Sequence, residues 1–160
     1  RRQRQMCIRD RSGKLKAIVT QNIDGLHQRA GSKIVYELHG SILRNYCMKC
    51  HKFYDAEYIR QSKEIPHCKC GGIIKPDVVL YQEGLDDNTV EKSVQAITDA
   101  DLLIVGGTSL NVYPAAGLIQ YRKRTCKLVL INKTETSADI YCDLVIHDSL
   151  GKIFAETEIN

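Results

Sequence analysis

The sequence predicts an α/β protein in which parallel strands alternate with helices and a small metal-binding module is inserted between them. Two observations carry this prediction. Uninterrupted apolar runs at residues 102–105 and 128–131 have the length of buried parallel strands, and a segment of helical periodicity precedes the first of them. Between residues 47 and 70, four cysteines form two close pairs, which is the arrangement of a structural zinc site.

Composition limits the class of protein. The 160 residues, 43% hydrophobic and 26% charged, suit one globular domain with at most a small insert. No apolar run approaches the roughly 18 residues of a membrane helix, and no signal peptide is visible. The net charge of +4 fits a weak preference for anionic ligands but is too small to indicate nucleic-acid binding. Cysteines without an export signal indicate reduced thiols, so we expect a cytoplasmic protein.

Residues 1–11 differ in character from the rest of the chain, with many arginines and little apolar periodicity. The segment could form a solvated basic helix or a nucleic-acid-binding arm. We expect instead a leader that is not native to the domain, which then begins at residue 12.

The first two predicted strands, residues 16–20 and 34–36, are each followed by polar side chains. Parallel strands end at the same edge of a sheet, so we expect these side chains to share one crevice. Taken singly, an Asp-Gly pair is typical of a turn, and an isolated histidine is more often a structural group than a catalyst. The polar residues are Gln21, Asn22, Asp24 and His39.

The cysteine pairs lie on either side of a segment of mixed composition. Zinc takes four soft ligands at about 2.3 Å in a tetrahedron, and two cysteine-bearing turns provide them. The alternatives are a set of buried thiols, or a site in which His51 or His67 replaces a cysteine. We predict a structural zinc site with no open position. Its ligands are Cys47, Cys50, Cys68 and Cys70.

After the metal-binding module, the sequence predicts a buried strand at residues 78–81 and a helix at residues 89–100. Residues 86–88 offer side chains that cap the helix. The strand at residues 102–105 should be covered on both faces, because its apolar run is continuous. One face of the helix is apolar and contains Val90, Val94 and Ile97.

A Gly-Gly-Thr-Ser turn at residues 106–109 follows that strand directly. Glycines let a phosphate approach the backbone, and hydroxyls can donate to it. A helix from Pro114 to Tyr121 would add an amide-rich N-terminus, although a plain strand-to-helix turn explains the same residues.

The strand at residues 127–131 ends at Asn132, whose amide could bind a ribose hydroxyl or serve only as a turn residue. A last strand at residues 143–147 and a helix at residues 150–157 complete the predicted sheet.

Several of these segments together resemble the sirtuin family of NAD-dependent protein deacylases. The resemblance covers about residues 13–154 and implies a large Rossmann-like domain with a small zinc module. NAD and an acyl-lysine peptide are then expected in the cleft between the two. The matching motifs, in the family's order, are Thr20-Gln21-Asn22-Ile23-Asp24, Glu37-Leu38-His39-Gly40, the paired cysteines, Pro76-Asp77-Val78-Val79, Gly107-Thr108-Ser109 and Ile131-Asn132.

The resemblance also implies roles at matching positions. Gln21, Asn22 and Asp24 resemble residues around the nicotinamide and its ribose, and His39 resembles the general base. Contacts to the phosphates and the adenosine ribose are implied for Gly107, Thr108, Ser109 and Asn132.

The substrate peptide is expected to be added as a strand between two backbone edges, with main-chain hydrogen bonds and broad sequence specificity. The matching positions are Val79 and Leu80 on one edge and Val112 on the other. The implied reaction transfers the acyl group from lysine to ADP-ribose and releases nicotinamide, with His39 accepting a proton from a ribose hydroxyl.

Two departures from the family pattern matter. Where the family has Phe-Gly-Glu, this chain has Tyr81-Gln82-Glu83. No residues before Lys14 match the family's Gly-Ala-Gly phosphate loop or its Asp-Phe-Arg segment, so we expect a fragment that is weakly active or inactive by itself. Within it, residues 12–46 and 77–157 are expected to form the NAD-binding domain, and residues 47–76 the zinc module.

Two other functions stay open from the sequence. A non-catalytic, zinc-stabilised module that binds NAD or ADP-ribose needs the same turns but no base. A zinc-ribbon nucleic-acid protein would use the basic leader and Lys49, Lys52 and Lys69, but it leaves the Gln-Asn-Ile-Asp and Gly-Gly-Thr-Ser segments unexplained.

Overall fold

The computed structural model of the protein describes residues 13–157, so the predicted leader at residues 1–11 lies outside the described residues. The fold is α/β, as predicted, with two parallel sheets and one antiparallel sheet. The strands are β1 (Ile18–Thr20), β2 (Val35–Glu37), β3 (Gly40–Cys47), β4 (Phe53–Asp55), β5 (Ile74–Val78), β6 (Leu102–Gly106), β7 (Lys127–Ile131) and β8 (Leu144–Ile146). The α-helices are α1 (Leu26–Arg29), α2 (Ala56–Gln61), α3 (Asp87–Thr98) and α4 (Leu150–Glu156).

Strands β1 and β2 form a two-stranded parallel sheet whose carboxyl ends lie side by side. Their register pairs Ile18 with Val35 and Thr20 with Glu37. The Leu38 amide continues the ladder by donating to the Thr20 carbonyl at 2.9 Å. The residues that follow the two strands, Gln21 and His39, are therefore delivered to the same edge.

Strands β6, β7 and β8 form a second parallel sheet with β7 in the middle. Leu128 and Leu130 of β7 are fully buried, as expected for an apolar strand paired on both sides. The register pairs Gly106 with Ile131, so the turn after β6 lies beside the residue that follows β7.

Helix α3 covers the parallel strands with the apolar face that the sequence predicts. Asp86 caps the helix by accepting from the Thr89 amide, and Ile97 is buried in a cluster with Leu38 and Leu118. Val90 and Val94 pack against the same cluster. This core joins the end of β2 to α3 and to the 3₁₀ helix Ala115–Tyr121.

The metal-binding module is built on the antiparallel sheet, in the order β4-β3-β5. Strand β3 begins directly after His39 and ends at the first cysteine, so one strand runs from the end of the parallel sheet into the module. A register shift between Ser41 and Asn45 interrupts its pairing with β5. The sequence analysis missed β3, because its eight residues mix apolar, polar and charged side chains without a clean alternation.

Two predictions of local structure are wrong. The strand expected at residues 78–81 ends at Val78, and Tyr81 is fully exposed. Strand β6 is not covered on both faces by the described residues, because Leu102 and Ile104 on one face are 53% and 36% exposed. The helix predicted from Pro114 to Tyr121 is present at Ala115–Tyr121 as a 3₁₀ helix, preceded by a cis Tyr113–Pro114 peptide bond. Within residues 13–157, no helix is both long and apolar enough to span a membrane.

Candidate active site and metal centre

The His39 ring is held against the end of the neighbouring strand. Its Nδ1 lies 3.0 Å from the backbone carbonyl oxygen of Gln21. A carbonyl oxygen can only accept, so Nδ1 carries the proton and donates. In the neutral ring, the lone pair then resides on Nε2. The imidazole is thus oriented, with one nitrogen fixed to the backbone and the other available as a base.

Gly40 allows the sharp change of direction after His39. Its φ is 76°, and a Cβ atom at this position would lie 1.9 Å from the carbonyl oxygen of Asp77. No side chain fits, because the obstacle is backbone. On the other side of this crossing, the Val79 amide donates to the His39 carbonyl at 3.1 Å. The histidine backbone is therefore tied to the backbone edge that the sequence predicts to bind the substrate peptide.

The side chain of Gln21 links the two parallel sheets. The Thr108 hydroxyl, after β6, lies 3.4 Å from Gln21 Oε1 and donates to it. Thr108 Oγ1 in turn accepts from the Leu110 amide at 3.2 Å. The structure thus brings together His39, Gln21 and Thr108, which the sequence placed on three separate strand ends.

Asn22 and Asp24 belong to the same loop but show local contacts. The Asn22 backbone amide donates to Thr20 Oγ1 at 3.1 Å, and the Asn22 side chain is exposed. Asp24 Oδ1 accepts from the Leu26 amide at 3.0 Å, which is the turn expected of an Asp-Gly pair. Their roles towards a nicotinamide ribose stay predictions.

The ends of β6 and β7 form one polar edge. Gly107, with a φ of 66°, donates its amide to the Ile131 carbonyl at 3.1 Å, while Ser109 is exposed. Asn132 Nδ2 donates to the Thr134 carbonyl at 3.0 Å, so this side-chain amide stabilises the turn that follows β7. Backbone and hydroxyl groups are available here for an anionic ligand.

Residues on both edges predicted to bind a peptide are exposed. Leu80 is 54% exposed and Val112 is 52% exposed, whereas Val79 is partly buried beside His39. Glu83 Oε2 accepts from the Leu80 amide at 2.8 Å and closes the turn that carries the exposed Tyr81.

Arg44 is a component that the sequence analysis missed. Its Nη1 lies 2.8 Å from Glu37 Oε2, and its Nε lies 2.9 Å from Asp77 Oδ2. The Glu37 side chain is only 7% exposed. Arg44 therefore connects the strand before His39 with the strand before Val79. Nothing in the local sequence marks it, because Asp77 is 33 positions away along the chain and Glu37, seven positions away, lies on a different strand.

The four predicted cysteines converge as expected. Their sulfur atoms all lie within 4.8 Å of one another, with the Cys47 and Cys70 sulfurs 3.4 Å apart. Four thiols at such distances fit a tetrahedral zinc ion and leave no ligand position for water. His67 Nδ1 lies 2.7 Å from the Ile65 carbonyl instead, and neither neighbouring histidine belongs to the ligand group.

The backbone around the cysteines is shaped to hold them. A Cβ atom at Gly72 would lie 2.6 Å from Cys47 Sγ, so a larger residue would invade the ligand space. The Cys68 amide donates to the Gly72 carbonyl at 2.8 Å and closes the second turn. The tight Cys-Lys-Cys spacing is thereby accommodated.

Two of the four sulfurs are buried and two are exposed. Cys47 and Cys68 lie inside the module, whereas Cys50 and Cys70 face solvent. The buried Tyr54 hydroxyl donates to Cys68 Sγ at 3.0 Å. The Cys70 backbone amide and this hydroxyl together lower the pKa of Cys68 to about 6, which favours the thiolate that a metal requires.

His27 is a further partly buried titratable group near the site. Its Nδ1 is buried without a hydrogen-bond partner among the described residues. Burial lowers its pKa below the ordinary value, although Asp24 and Glu37 act in the opposite direction.

Comparison with known proteins gives one family. A model of the Sir2 family matches residues 5–114. An NAD-dependent protein deacetylase from Clostridium perfringens is 66% identical over 145 residues, which are 90% of this chain and 59% of that protein. A protein of the same name from Clostridium acetobutylicum is 68% identical over 146 residues, again 59% of its length. The chain thus spans about three fifths of these curated relatives.

Solved structures agree. A crystal structure of Sir2 with the inhibitor EX-527, 2'-O-acetyl-ADP-ribose and a deacetylated p53 peptide has a TM-score of 0.90 and 36% identity, covering 96% of this chain and 68% of that one. A complex of Sir2 with a p53 peptide and NAD+ has a TM-score of 0.88 and 35% identity, covering 96% of this chain and 66% of that one.

Proposed function

This chain belongs to the Sir2 family, and we propose that it carries the catalytic base and the metal site of an NAD-dependent protein-lysine deacetylase. The names of its relatives and the ligands of its structural neighbours support this proposal. The chain covers only part of those relatives, so the proposed activity is that of the whole protein containing it.

The observation that carries the proposal is the hydrogen bond between His39 Nδ1 and the Gln21 carbonyl. It selects the tautomer in which Nε2 has the free lone pair. A general base must be oriented towards the proton that it removes, and the fixed ring provides that orientation. We assign His39 as the base that accepts a proton from a ribose hydroxyl of NAD.

The ligand NAD supplies a ribose carbon from which nicotinamide can leave, and the acyl oxygen of the substrate lysine is the nucleophile. One water molecule is consumed, the acyl group ends on a ribose hydroxyl of ADP-ribose, and the free lysine amine and nicotinamide are released. His39 holds the proton taken from the ribose hydroxyl. His39 contacts Gln21 at the end of β1 through its ring and Val79 at the substrate edge through its backbone. One residue therefore lies beside the proposed sites of both reacting molecules.

The proposed NAD site is spread over the polar edge of both parallel sheets. Gln21, Asn22 and Asp24 are assigned to the nicotinamide and its ribose, beside His39. The turn after β6 and the end of β7 are assigned to the phosphates and the adenosine ribose. The residues of this second group are Gly107, Thr108, Ser109 and Asn132. The bond between Thr108 and Gln21 supports placing both groups on one ligand.

The acyl-lysine peptide is assigned to the space between Val79 and Leu80 on one edge and Val112 on the other. The exposure of Leu80 and Val112 suits a peptide that adds as a strand. Such recognition reads few side chains, so we expect many acetylated peptides to be accepted.

Zinc is assigned to Cys47, Cys50, Cys68 and Cys70 in a structural role, because thiols fill every position. We further propose that residues 47–76 form the zinc module and that residues 12–46 and 77–157 belong to the NAD-binding domain. Strands β3 and β5 cross these boundaries and connect the two. Zinc-binding thiols must stay reduced, which supports a cytoplasmic location.

The test is a His39→Ala substitution in the whole protein that contains this chain. With NAD and an acetyl-lysine peptide, formation of the deacetylated peptide should fall at least about 100-fold, because general-base catalysis is lost. Binding of ADP-ribose should persist. Normal turnover by the variant would contradict the assignment, and binding without turnover in the unsubstituted protein would identify a non-catalytic module.

A further inference from the structure

Tyr54 is the buried polar side chain of the metal module to which the proposed function gives no role. It lies on β4, paired with Asn45 of β3, and only 8% of it is exposed. Its hydroxyl donates to Cys68 Sγ at 3.0 Å, across fourteen positions of sequence. Tyrosine hydroxyls that point at sulfur in a buried site need an explanation, since phenylalanine fills the same space.

We propose that Tyr54 is a positioning residue for the metal ligand Cys68, and that its hydrogen bond to the thiolate strengthens zinc retention. The inference rests on the zinc site proposed above. Groups that hydrogen-bond to metal ligands fix their orientation and moderate their charge, and their loss weakens metal binding.

The distribution of donors around the four sulfurs carries the proposal. Four thiolates and one Zn²⁺ leave a net charge of about −2, which burial makes costly. Water can solvate the exposed Cys50 and Cys70. The two buried sulfurs need donors from the protein, and both have them. The Lys49 amide donates to Cys47 Sγ at 3.4 Å, and the Tyr54 hydroxyl donates to Cys68 Sγ.

The Tyr54 ring is fixed by its neighbours, so the hydroxyl is directed rather than free to rotate away. It packs in one cluster with Cys47, Cys68 and Ile74. The Tyr58 ring lies against it with centroids 4.6 Å apart. Because the aromatic contacts belong to the ring alone, a Tyr54→Phe substitution removes the hydrogen bond and keeps the packing.

Tyr58 provides a matched control within the same ring pair. Its hydroxyl donates to the carbonyl of His67 at 3.1 Å, one residue before Cys68, and not to a sulfur atom. Tyr54→Phe and Tyr58→Phe therefore each delete one hydroxyl beside the same turn. A merely structural role of Tyr54 predicts similar effects for both variants.

The experiment measures zinc transfer from the 160-residue chain to a chromophoric chelator. Tyr54→Phe should lower zinc affinity about tenfold, and Tyr58→Phe should leave it within about twofold. In the Co²⁺-loaded protein, the sulfur-to-metal charge-transfer band should move to lower energy in Tyr54→Phe only, because the Cys68 thiolate loses a donor. Equal affinity and an unshifted band would overturn the role of Tyr54 while leaving the zinc site intact.

A second measurement requires no variant. In the ¹¹³Cd-loaded chain, the Tyr54 hydroxyl proton should exchange slowly with water and show coupling to the metal through Cys68. Rapid exchange of that proton would contradict the hydrogen bond. If the unsubstituted chain bound neither zinc nor cadmium, that result would contradict both the metal site itself and the role of Tyr54.

Discussion

The end of the parallel sheets and the metal module hold their functional atoms by different means. At the strand ends, the His39 ring and the Thr108 hydroxyl are bonded to Gln21, and the strands beneath them pack into an apolar core. In the metal module, two of the four residues of the buried cluster are themselves cysteines, Cys47 and Cys68. Apolar burial supports the first region, whereas the second has little core besides its ligands.

This difference indicates that two separate interactions stabilise the chain, namely hydrophobic packing in one region and metal binding in the other. Hydrophobic packing depends on side-chain volume and not on metal. A module whose core consists largely of ligands depends on metal binding for its folding free energy. The two regions should therefore respond to different perturbations. Because β3 runs from one region into the other, a perturbation of either region should destabilise the other only in part.

Metal removal should have the largest effect. Zinc bound by four thiolates contributes on the order of 10 kcal/mol to the folding of small zinc modules. A strong chelator should therefore remove amide protection from β4 and the second cysteine turn, while β7 stays protected. Hydrogen exchange of the chain with and without zinc measures this. Uniform loss of protection across both regions would show that they are one cooperative unit.

Leu130→Ala is the matching perturbation of the apolar core. Leu130 has no exposed surface, so truncation should cost about 2–5 kcal/mol of unfolding free energy through lost contacts and a cavity. Zinc affinity should be unchanged, because the residue lies on β7, in a different sheet from the one that carries the metal-binding module. Urea unfolding measures the free energy of unfolding, and competition with a chelator measures zinc affinity. A parallel loss of zinc affinity would contradict the separation of the regions.

Arg44→Met tests the connection between the two regions. The substitution leaves the Glu37 carboxylate, 7% exposed, without its cation, which should cost about 1–3 kcal/mol in unfolding free energy. In the whole protein, peptide KM should rise more than the KM for NAD, since Arg44 also holds Asp77 beside the peptide edge. Arg60→Met is the matched control, because its partner Glu57 is exposed. Equal effects of both variants would remove the special role of Arg44.

The smallest expected effect is a pH dependence from His27. Its pKa is lowered in the folded chain, so below about pH 6.5 the unfolded chain binds a proton more readily. Stability contributed by neutral His27 is thus present above that pH and is lost as the pH falls from there through the lower pKa of the folded state. His27→Gln should flatten the decline in the urea midpoint between about pH 7.5 and 5.5. An unchanged slope, with exposed His51→Gln as control, would show that another group is responsible.

The sequence was sufficient where function depends on strand ends and on ligand spacing. The convergence of Gln21 with His39 and of the four cysteines followed from patterns that can be read locally. Contacts between distant segments could not be read in this way. Arg44 and Tyr54 meet their partners only because β3 and β4 fold beside other elements, and neither residue stands in a recognisable motif.

Errors in the predicted strands have a physical reason as well. The run Val78-Val79-Leu80-Tyr81 has the composition of a buried strand, yet Leu80 and Tyr81 lie exposed beyond the end of β5. Similarly, Leu102-Leu103-Ile104-Val105 is apolar enough for burial on both faces, but composition does not say which elements cover it. Periodicity in the sequence indicates whether a segment is a helix or a strand, but it does not indicate which other elements pack against that segment.

The proposed role of His39 depends on the orientation of its ring, and the protonation pattern of the ring tests this orientation most directly. In ¹⁵N NMR spectra of the neutral state, we expect a protonated Nδ1 and an unprotonated Nε2, as the Gln21 carbonyl requires. The opposite tautomer, with the proton on Nε2, would contradict the proposed base and the arrangement of strand ends that supports it.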